Sequence, residues 1–501
     1  MDITSLLTGV SVLAVQGRLD RGVTSVVCHS DEVGPGACFV AVRGTAVDGH
    51  RFIPEAVRKG AALIVAEGSV PAEELQAPDG EGATLVVVPD TRRALALAAR
   101  NFFSDPSRRL ALIGVTGTNG KTTTALLIES VLRAAGVRAG LLGTVVYRFA
   151  DEEEVAPQHT TPEAPALQGA LARMVKEGLT HCVMEVSSHA LVLERTVGCT
   201  FEVCVFTSFS QDHLDFHLSL EDYFQAKTKL FYEYDFKGAV LNADDPWFSR
   251  LMDEDRKDVL TYGLKGAPDV KASDLEVSVA GTRFNVSTPA GTLRVESPLI
   301  GRHNVYNMLA AVGVGLQVGV GPEAIREGLE ACRAIPGRFE RVEAGQDFTV
   351  VVDYAHTDDA LRNALEAARS LEPARLLTVF GCGGDRDPLK RPKMGAVVAR
   401  LSDEVIVTSD NPRTEDPQAI IEQILEGIDE VAAGRERSVV VPDRREAIVE
   451  AIGRARSGDF VLIAGKGHET YQIVGTERQP FDDRLVARQA LEARLGRRAV
   501  T

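Results

Sequence analysis

Three features of the 501-residue chain predict an α/β protein built from three domains. A chain of this length exceeds what one hydrophobic core normally organises. Short apolar runs alternate with helical patterns almost throughout, as expected for helices layered on mainly parallel sheets. A glycine-rich turn at residues 114–124 joins one apolar run to a helix, in the manner of a phosphate-binding loop.

Composition narrows the class. With 45% hydrophobic and 25% charged residues, the chain is too apolar to be disordered. Acidic residues outnumber basic ones by 71 to 55, for a net charge of −16, and no Lys/Arg block stands out. A nucleic-acid or anionic-membrane surface is therefore not expected, although a local cationic pocket fits the same total. The seven cysteines (Cys28, Cys38, Cys182, Cys199, Cys204, Cys332, Cys382) show no C-x-x-C spacing and read as small buried thiols. No basic-then-apolar leader is seen, nor about 18 uninterrupted apolar residues. A soluble protein of the reducing cytoplasm is expected.

The first domain, residues 1–106, has strands at Ser25–Cys28, Cys38–Val42, Ala62–Ala66 and Leu85–Val88, then a helix from about Thr91 to Phe103. Asp105-Pro106-Ser107 reads as a linker. The central domain, residues 107–335, opens with the strand Leu110–Ile113 and continues through Cys182–Glu185 and Val203–Phe206. After about Asp269 the pattern becomes short alternating strands broken at Ala280-Gly281 and Pro289-Ala290-Gly291, a small antiparallel insert. Residues 333–338 mark the next boundary. In the third domain, residues 336–501, strands at Val350–Val352, Leu376–Val379, Val405–Val407 and Phe460–Ile463 alternate with helices. This is a Rossmann-like, doubly wound pattern without the G-x-G-x-x-G fingerprint, and its ligands belong beyond the carboxyl ends of the strands. Four polar motifs fall there: Asp353-Tyr354-Ala355-His356, Gly383-Gly384-Asp385-Arg386, Asp410-Asn411-Pro412-Arg413 and Gly465-Lys466-Gly467-His468-Glu469.

The loop reads Gly-Val-Thr-Gly-Thr-Asn-Gly-Lys-Thr-Thr-Thr, with a helix opening at Lys121. Thr116, Gly117, Thr118, Asn119 and Gly120 bring backbone N–H groups and a positive helix end to one point, as a polyphosphate requires. Lys121 reaches terminal phosphates and the Thr122 hydroxyl suits Mg²⁺. The standard G-x-x-x-x-G-K pattern needs glycine at 115, where this chain has Val115 and carries its glycines at 114 and 117. Glu185 ends an apolar strand and reads as a Mg²⁺ ligand beside the loop, against the plain reading of a strand-end acid. His213, in a His- and Asp-rich stretch, has three readings: metal ligand, phosphate contact or helix-start histidine. Lys227 lies within a helix, where a solvated lysine is the default. Asn304 and Asn307 open a long apolar helix, and either capping or purine recognition accounts for them.

Taken together, the motifs resemble the Mur ligases, ATP-dependent amide-forming enzymes of peptidoglycan precursor synthesis. The matching signatures are Gly-Thr-Asn-Gly-Lys-Thr-Thr-Thr, Glu185-Val186-Ser187-Ser188-His189, Asp212-His213-Leu214-Asp215, Ala226-Lys227, Asn304-Val305-Tyr306-Asn307, Pro336-Gly337-Arg338-Phe339-Glu340 and Asp353-Tyr354-Ala355-His356-Thr357. They occur in the family's order across all three regions. Residues 381–387 and 410–413 resemble members that add the third stem-peptide residue, a diamino acid, to UDP-N-acetylmuramoyl-L-alanyl-D-glutamate.

The resemblance implies a UDP-binding N-terminal domain, a P-loop ATPase-like centre and an amino-acid-binding C-terminal domain. It implies two Mg²⁺ ions, the first on Thr122 and Glu185, the second on His213 and a carbamylated Lys227. Lys121 and residues 116–122 hold ATP phosphates, and Asn304, Asn307, Arg338 and Asp353 contact the nucleotide. Ser30, Thr160, Thr161, Ser187 and Arg195 match positions for the UDP-sugar dipeptide. Arg386, Asp410, Asn411, Pro412, Arg413, Gly465 and Glu469 match positions for the diamino acid. The Asp-Asn-Pro-Arg form resembles enzymes using meso-diaminopimelate, whose distal carboxylate suits Arg413 or Arg386; lysine or ornithine is the alternative acceptor. Glu469 and Asp410 are expected on ammonium groups, and a monomer is expected. The implied reaction activates the D-glutamyl carboxylate as an acyl phosphate, which the amine then attacks.

Five positions depart from the family pattern. His29 and Asp31 flank Ser30 where Asp-Ser-Arg is frequent, His159 and Ser208 replace asparagines, and Leu193 replaces Gln or Glu. All five are expected on the nucleotide-sugar side. A degenerate scaffold would have lost Lys121, Glu185, His213, Lys227 or Asp353, and all are present. A folylpolyglutamate-type ligase would not explain the Asp-Asn-Pro-Arg and Gly-Lys-Gly-His-Glu motifs.

Overall fold

The computed structural model describes residues 1–44, 47–76, 82–151, 153–251 and 258–498. The chain forms two compact units. The first comprises residues 1–116, 136–205 and 225–239; the second comprises residues 117–135, 206–224 and 240–501.

In the first unit a five-stranded sheet runs in the order Ala14–Gln16, Thr84–Val87, Leu63–Ala66, Ala37–Val40, Ser25–Val27. Only the Ala14–Gln16 edge is antiparallel. Side chains alternate across this sheet, as strand geometry requires. Cys38, Val40, Leu63 and Val65 pack with Ile3, Leu95 and Ala98 on one face. Phe39, Ile64 and Leu85 pack with Ile53 and Val57 on the other. The helix Thr91–Phe102 starts where the Asp90 carboxylate accepts the N–H groups of Arg92 and Arg93. The four strands expected from the sequence form within a residue or two. Ala14–Gln16 was not foreseen, because three exposed edge residues carry no apolar alternation.

The first unit also contains strands in the order Tyr147–Arg148, Ala139–Leu142, His181–Glu185, Ala111–Thr116, then residues 201–205 of the strand Phe201–Phe206 and residues 236–239 of Phe236–Asn242. Ala111–Thr116 is parallel to His181–Glu185, with Val115 opposite Glu185. Leu142 stands opposite Met184 on the other side. This register sets three strand ends, at Leu142, Glu185 and Thr116, on one edge.

In the second unit the helix Lys121–Ala134 packs against Arg302–Gln317 and Pro322–Ala331. The expected antiparallel insert is present: Val270–Ser278, Gly281–Thr288 and Gly291–Ser297 form a meander, turning at the two glycine-containing breaks. A six-stranded sheet follows, in the order Glu340–Arg341, Thr349–Asp353, Phe460–Ala464, Leu376–Phe380, Glu404–Val407, Ser438–Val440. It is parallel except at the Glu340–Arg341 edge. Asp358–Arg369, Lys390–Leu401 and Pro417–Asp429 cover one face. Arg444–Arg454 and Asp483–Arg498 cover the other. This is the doubly wound third region, with a hairpin of Tyr471–Val474 and Glu477–Pro480 added before the last helix.

None of the seven cysteines forms a disulfide, and all are buried or half-buried as expected. Burial pushes Cys38, Cys199 and Cys382 up to about 12, and burial with nearby Glu163 and Glu32 does the same to Cys28. Among the described residues no helix is long and apolar enough to cross a membrane.

Candidate active site

The phosphate loop explains its own glycine spacing. Val115 is fully buried inside the strand, so no turn, and no glycine, is needed there. In the second unit the turn begins at Gly117, whose φ is +145°. A Cβ on Gly117 would lie 2.0 Å from Thr207 Oγ1 and 3.0 Å from the Ser208 N–H nitrogen. The segment 207–210 braces the loop at short range. Thr118 N–H donates to Ser208 O at 2.7 Å, Thr118 Oγ1 to Ser210 O at 3.1 Å, and Thr207 Oγ1 to Asn119 O at 2.6 Å. Tyr223 adds its hydroxyl to Thr118 Oγ1 at 3.2 Å. The helix starts at Lys121 behind Gly120, with no side chain capping its first N–H groups. Those donors and the helix dipole therefore converge as an anion site. Lys121 Nζ folds over the loop to donate to Gly117 O at 3.0 Å and Thr118 O at 2.9 Å.

Several expected nucleotide contacts gather around this helix. Arg338 Nη2 donates to the buried Thr122 Oγ1 at 3.3 Å, and its guanidinium lies 4.5 Å from the centre of the Tyr354 ring. Asp353 accepts the N–H groups of Phe339 at 2.6 Å and Ala355 at 2.8 Å. Burial holds the Asp353 carboxyl above the ordinary range, although Arg338 pulls the other way. Asn304 and Asn307 are buried inside the helix Arg302–Gln317, so neither caps it; Gly301 does. Asn307 Nδ2 donates to Asn304 Oδ1 at 3.1 Å, and Asn307 Oδ1 accepts from Thr124 at 3.2 Å. Asn119 Nδ2 reaches Asp359 Oδ2 at 3.2 Å.

Ser208 requires a correction. It was expected on the nucleotide-sugar side, yet its hydroxyl donates to Asn119 O at 3.2 Å and accepts the Asn119 N–H at 3.3 Å. The short side chain thus sits directly on the phosphate loop.

His213 lies ahead of the helix Leu220–Tyr232 with a left-handed φ of +53°, so it is not a helix-start residue. Its Nε2 is 3.4 Å from Asp212 Oδ2. Burial raises the Asp212 carboxyl, but the charges of His213, His356 and Lys390 outweigh it and hold the group below its ordinary value.

The first unit carries the other expected residues. Glu185 is buried; its Oε1 accepts the Thr144 N–H at 2.7 Å and its Oε2 the Thr144 hydroxyl at 2.9 Å. Thr144 Oγ1 also meets Thr160 Oγ1 at 3.1 Å. Thr161 Oγ1 donates to Glu185 O at 2.8 Å and accepts the Ser187 N–H at 3.1 Å. Arg195 donates to Thr161 O at 3.0 Å and pairs with Glu163 at 2.5 Å, while its Nε is buried without a partner. Thr144, Thr160, Thr161, Ser187 and Arg195 are thus one connected polar network around Glu185. Thr144 escaped the sequence reading; its only signal was its place just past the strand Ala139–Leu142, itself unforeseen.

Lys227 is 1% exposed, which overturns the solvated default for a helical lysine. Ser30 stands apart from the threonine network in these contacts: its carbonyl accepts Lys59 Nζ at 2.8 Å, and Lys59 also lies 3.8 Å from Asp31. A cation therefore stands beside His29-Ser30-Asp31 although the frequent arginine is missing. Burial lowers the His159 imidazole, whose carbonyl takes the Tyr147 hydroxyl. Leu193 closes the short helix Ser188–Val192.

At the carboxyl ends of the third region's parallel strands the four motifs form one rim. Arg413 has a φ of +51° and donates from Nη1 to Gly384 O at 2.7 Å. Arg386 is exposed and donates to Asp385 O. Asn411 and Pro412 are buried. Asp410 accepts the Asn411 N–H through Oδ1, while its Oδ2 is buried without a partner. Gly465 approaches that oxygen so closely that a Cβ would sit 2.6 Å away. Asn411 Nδ2 donates to Glu469 Oε2 at 2.8 Å. Glu469 already holds Lys466 Nζ at 2.8 Å, so it does not stand as an uncompensated anion. A cavity of about 520 Å³ in the same unit is lined by Val342, Thr349, Gly458 and Phe460, at the amino ends of the strands. That is the wrong edge for a doubly wound sheet to bind its ligand.

Among the described residues no three His, Cys, Asp or Glu side chains converge as a ready-made metal cage. Mg²⁺ commonly takes only one or two carboxylates and completes its shell with phosphate oxygens and water, so the oxygen donors Glu185 in the first unit and Thr122 in the second each suit it.

Comparison with known proteins gives this geometry its context. Residues 22–103 match the Mur ligase family catalytic domain, residues 115–315 the Mur ligase middle domain, and residues 337–467 the Mur ligase glutamate ligase domain. A UDP-N-acetylmuramoyl-L-alanyl-D-glutamate--2,6-diaminopimelate ligase from Thermosynechococcus vestitus is 48% identical, over 99% of both chains. The protein of the same name from Geobacillus thermodenitrificans is 45% identical, over 99% of this chain and 100% of its own. A solved structure of a UDP-N-acetylmuramoyl-L-alanyl-D-glutamate--2,6-diaminopimelate ligase superposes with a TM-score of 0.70 at 33% identity, covering 99% of each chain. The MurF ligase of Thermotoga maritima in complex with ADP, at 20% identity and a TM-score of 0.62, shares the fold. With matches to all three domains and near-complete coverage of its relatives, the chain belongs to the Mur ligase family.

Proposed function

We propose that this protein joins meso-2,6-diaminopimelate to the D-glutamate of UDP-N-acetylmuramoyl-L-alanyl-D-glutamate, using ATP. The observation that carries the reading is the third-domain rim, where Arg413 and Arg386 stand beside Asp410 and Glu469 in a chain 43–48% identical to ligases of that name. An acceptor with two carboxylates and two amines needs cations and anions side by side, and arginine pairs with a carboxylate through a planar fork.

The loop amides of residues 116–122 and Lys121 would hold the ATP phosphates, Thr122 and Glu185 would each serve one Mg²⁺, and His213 with a carbamylated Lys227 would serve a second. Bound Mg²⁺ neutralises charge on the transferring phosphoryl group. Desolvation favours the neutral form of an amine, and a neutral amine is what captures CO₂, so the burial of Lys227 supports its carbamylation. Asn304, Asn307, Arg338 and Asp353 position the nucleotide. Ser30, Thr160, Thr161, Ser187 and Arg195 hold the UDP-sugar dipeptide so that its D-glutamyl carboxylate meets the γ-phosphate. The carboxylate displaces ADP to form an acyl phosphate; the neutral acceptor amine attacks its carbonyl carbon, and the tetrahedral intermediate expels phosphate and loses a proton to give the amide. Positioning of three substrates supplies much of the acceleration. The domain boundaries at 106 and 335 are supported by the three family matches, each of which falls inside one stretch. Seven cysteines that form no disulfide fit a cytoplasmic protein, which we take to be a monomer.

The test offers the purified protein the UDP-sugar dipeptide, ATP and Mg²⁺ with meso-diaminopimelate, L-lysine or L-ornithine separately, and reads phosphate release. Release with meso-diaminopimelate is expected. Release only with lysine or ornithine would overturn the acceptor assignment, and release with none would leave a nucleotide-binding scaffold.

A further inference from the structure

Lys466 is the one rim residue whose charge is wholly out of water. Its side chain is 0% exposed, and its Nζ donates to Asn411 Oδ1 at 3.0 Å and Glu469 Oε2 at 2.8 Å. Asn411 closes the triangle by donating Nδ2 to the same Glu469 oxygen at 2.8 Å. Its Oδ1 also accepts the Ile473 N–H at 2.9 Å. Two donors on Oδ1 fix the orientation of this amide, since a flipped NH₂ would face an ammonium and an N–H. The Asn411 side chain is thereby consumed by protein contacts and has little left for a ligand.

The same network carries the specificity arginine. Ile473 O accepts the Arg413 N–H at 3.1 Å, Arg413 O accepts the Gly475 N–H at 2.8 Å, and Gln472 Nε2 donates to Asp410 O at 2.6 Å. The hairpin Tyr471–Pro480 therefore clamps Asp410–Arg413 from outside and holds Arg413 in its left-handed conformation. Two buried arginines of the same region are neutralised by their own partners, Arg391 by Glu415 and Arg444 by Asp483. Lys466 differs because its carboxylate partner, Glu469, is itself a rim residue.

We propose that Lys466 is a positioning residue that sets acceptor selectivity, resting on the reading that the rim binds the diamino acid. It does so in two ways. Through Asn411 and the hairpin it fixes the aim of Arg413. Through Glu469 it lowers the negative charge offered to a second ammonium group, and burial leaves this effect unscreened by solvent. Meso-diaminopimelate brings a second carboxylate along with its second amine, whereas lysine brings only the amine. A compensated Glu469 thus penalises lysine more, which is selection against the wrong ligand as well as for the right one.

The experiment compares the full-length protein with its Lys466→Met and Lys466→Arg variants. It measures phosphate release with meso-diaminopimelate and with L-lysine, and the KM of each of the three substrates. Losing a charge-assisted contact in Lys466→Met is expected to raise the KM for meso-diaminopimelate about tenfold or more. The KM values for ATP and the UDP-sugar dipeptide should stay within about twofold, since the Lys466 ammonium donates to Asn411 and Glu469 and not to the residues assigned to either substrate. The preference for meso-diaminopimelate over lysine should fall about tenfold, with partial recovery in Lys466→Arg. An unchanged preference, with both acceptors losing equally, would overturn the proposal. Should Lys466→Met not fold, Glu469→Gln tests the same coupling from the other side. It leaves Lys466 uncompensated and is expected to reject lysine more strongly still; an unchanged preference there would also overturn the proposal. A wild-type protein that turns over neither acceptor would instead bring down the ligase reading beneath it.

Discussion

Thr144 holds both oxygens of the Glu185 carboxylate, one through its backbone N–H and the other through its hydroxyl. A buried carboxylate that faces a cation on one side needs donors on the other to keep its orientation. Thr144→Val keeps the shape and the N–H but removes the hydroxyl. The expected cost is about 1–3 kcal/mol of stability from a weakened buried hydrogen bond to a charged group. The Mg²⁺ concentration for half-maximal phosphate release should also rise severalfold. Thermal melting and a Mg²⁺ titration check both parts, and an unchanged Mg²⁺ requirement would separate Glu185 from the metal.

Gly117 tolerates no side chain. Its φ of +145° is closed to other residues, and a Cβ there would overlap Thr207 Oγ1. Gly117→Ala should lose ATP binding by two orders of magnitude or more while the first unit keeps its fold, as read by nucleotide titration and circular dichroism. Wild-type nucleotide affinity would contradict the loop geometry.

Lys227→Ala should nearly abolish phosphate release, and millimolar formate or acetate should restore part of it by supplying the missing carboxylate. Normal activity without rescue would refute a metal role for this lysine. A solvated lysine would predict that normal activity, but the side chain is buried.

His303 gives the protein an acid-side weakness. Burial lowers its imidazole to about 4, whereas the unfolded chain binds the proton near 6.5. Because the folded value is the lower one, the stabilisation is complete above about 6.5 and is lost as pH falls from there toward 4. The melting temperature should fall across that window. His303→Gln should fall less steeply, and identical slopes would show that other groups dominate.

Much of this was legible because the relevant signals are local. The strand, turn and helix at Ala111–Ala134 follow from an apolar run, glycines and a lysine in sequence, and the insert follows from two glycine-containing breaks. Residues whose meaning depends on a partner far along the chain were not legible. Thr144 reads as an ordinary threonine until the parallel register sets it beside Glu185, 41 residues on. Ser208, expected on the nucleotide-sugar side, touches Asn119 of the phosphate loop, 89 residues earlier, and nothing in its neighbourhood in sequence reveals that contact. The roles of Asn304 and Asn307 were ambiguous for the same reason, since a cap and a buried amide relay look alike in one dimension.

The chain's thiols have a practical consequence. Cys28, Cys38, Cys199 and Cys382 are held up to about 12, so at neutral pH they are almost entirely protonated and poor nucleophiles. Alkylating probes and mild oxidants should find little to react with at these four positions. A single cysteine introduced on an exposed helix would meet little competition from those four, so site-directed labelling of this ligase need not begin by stripping them out.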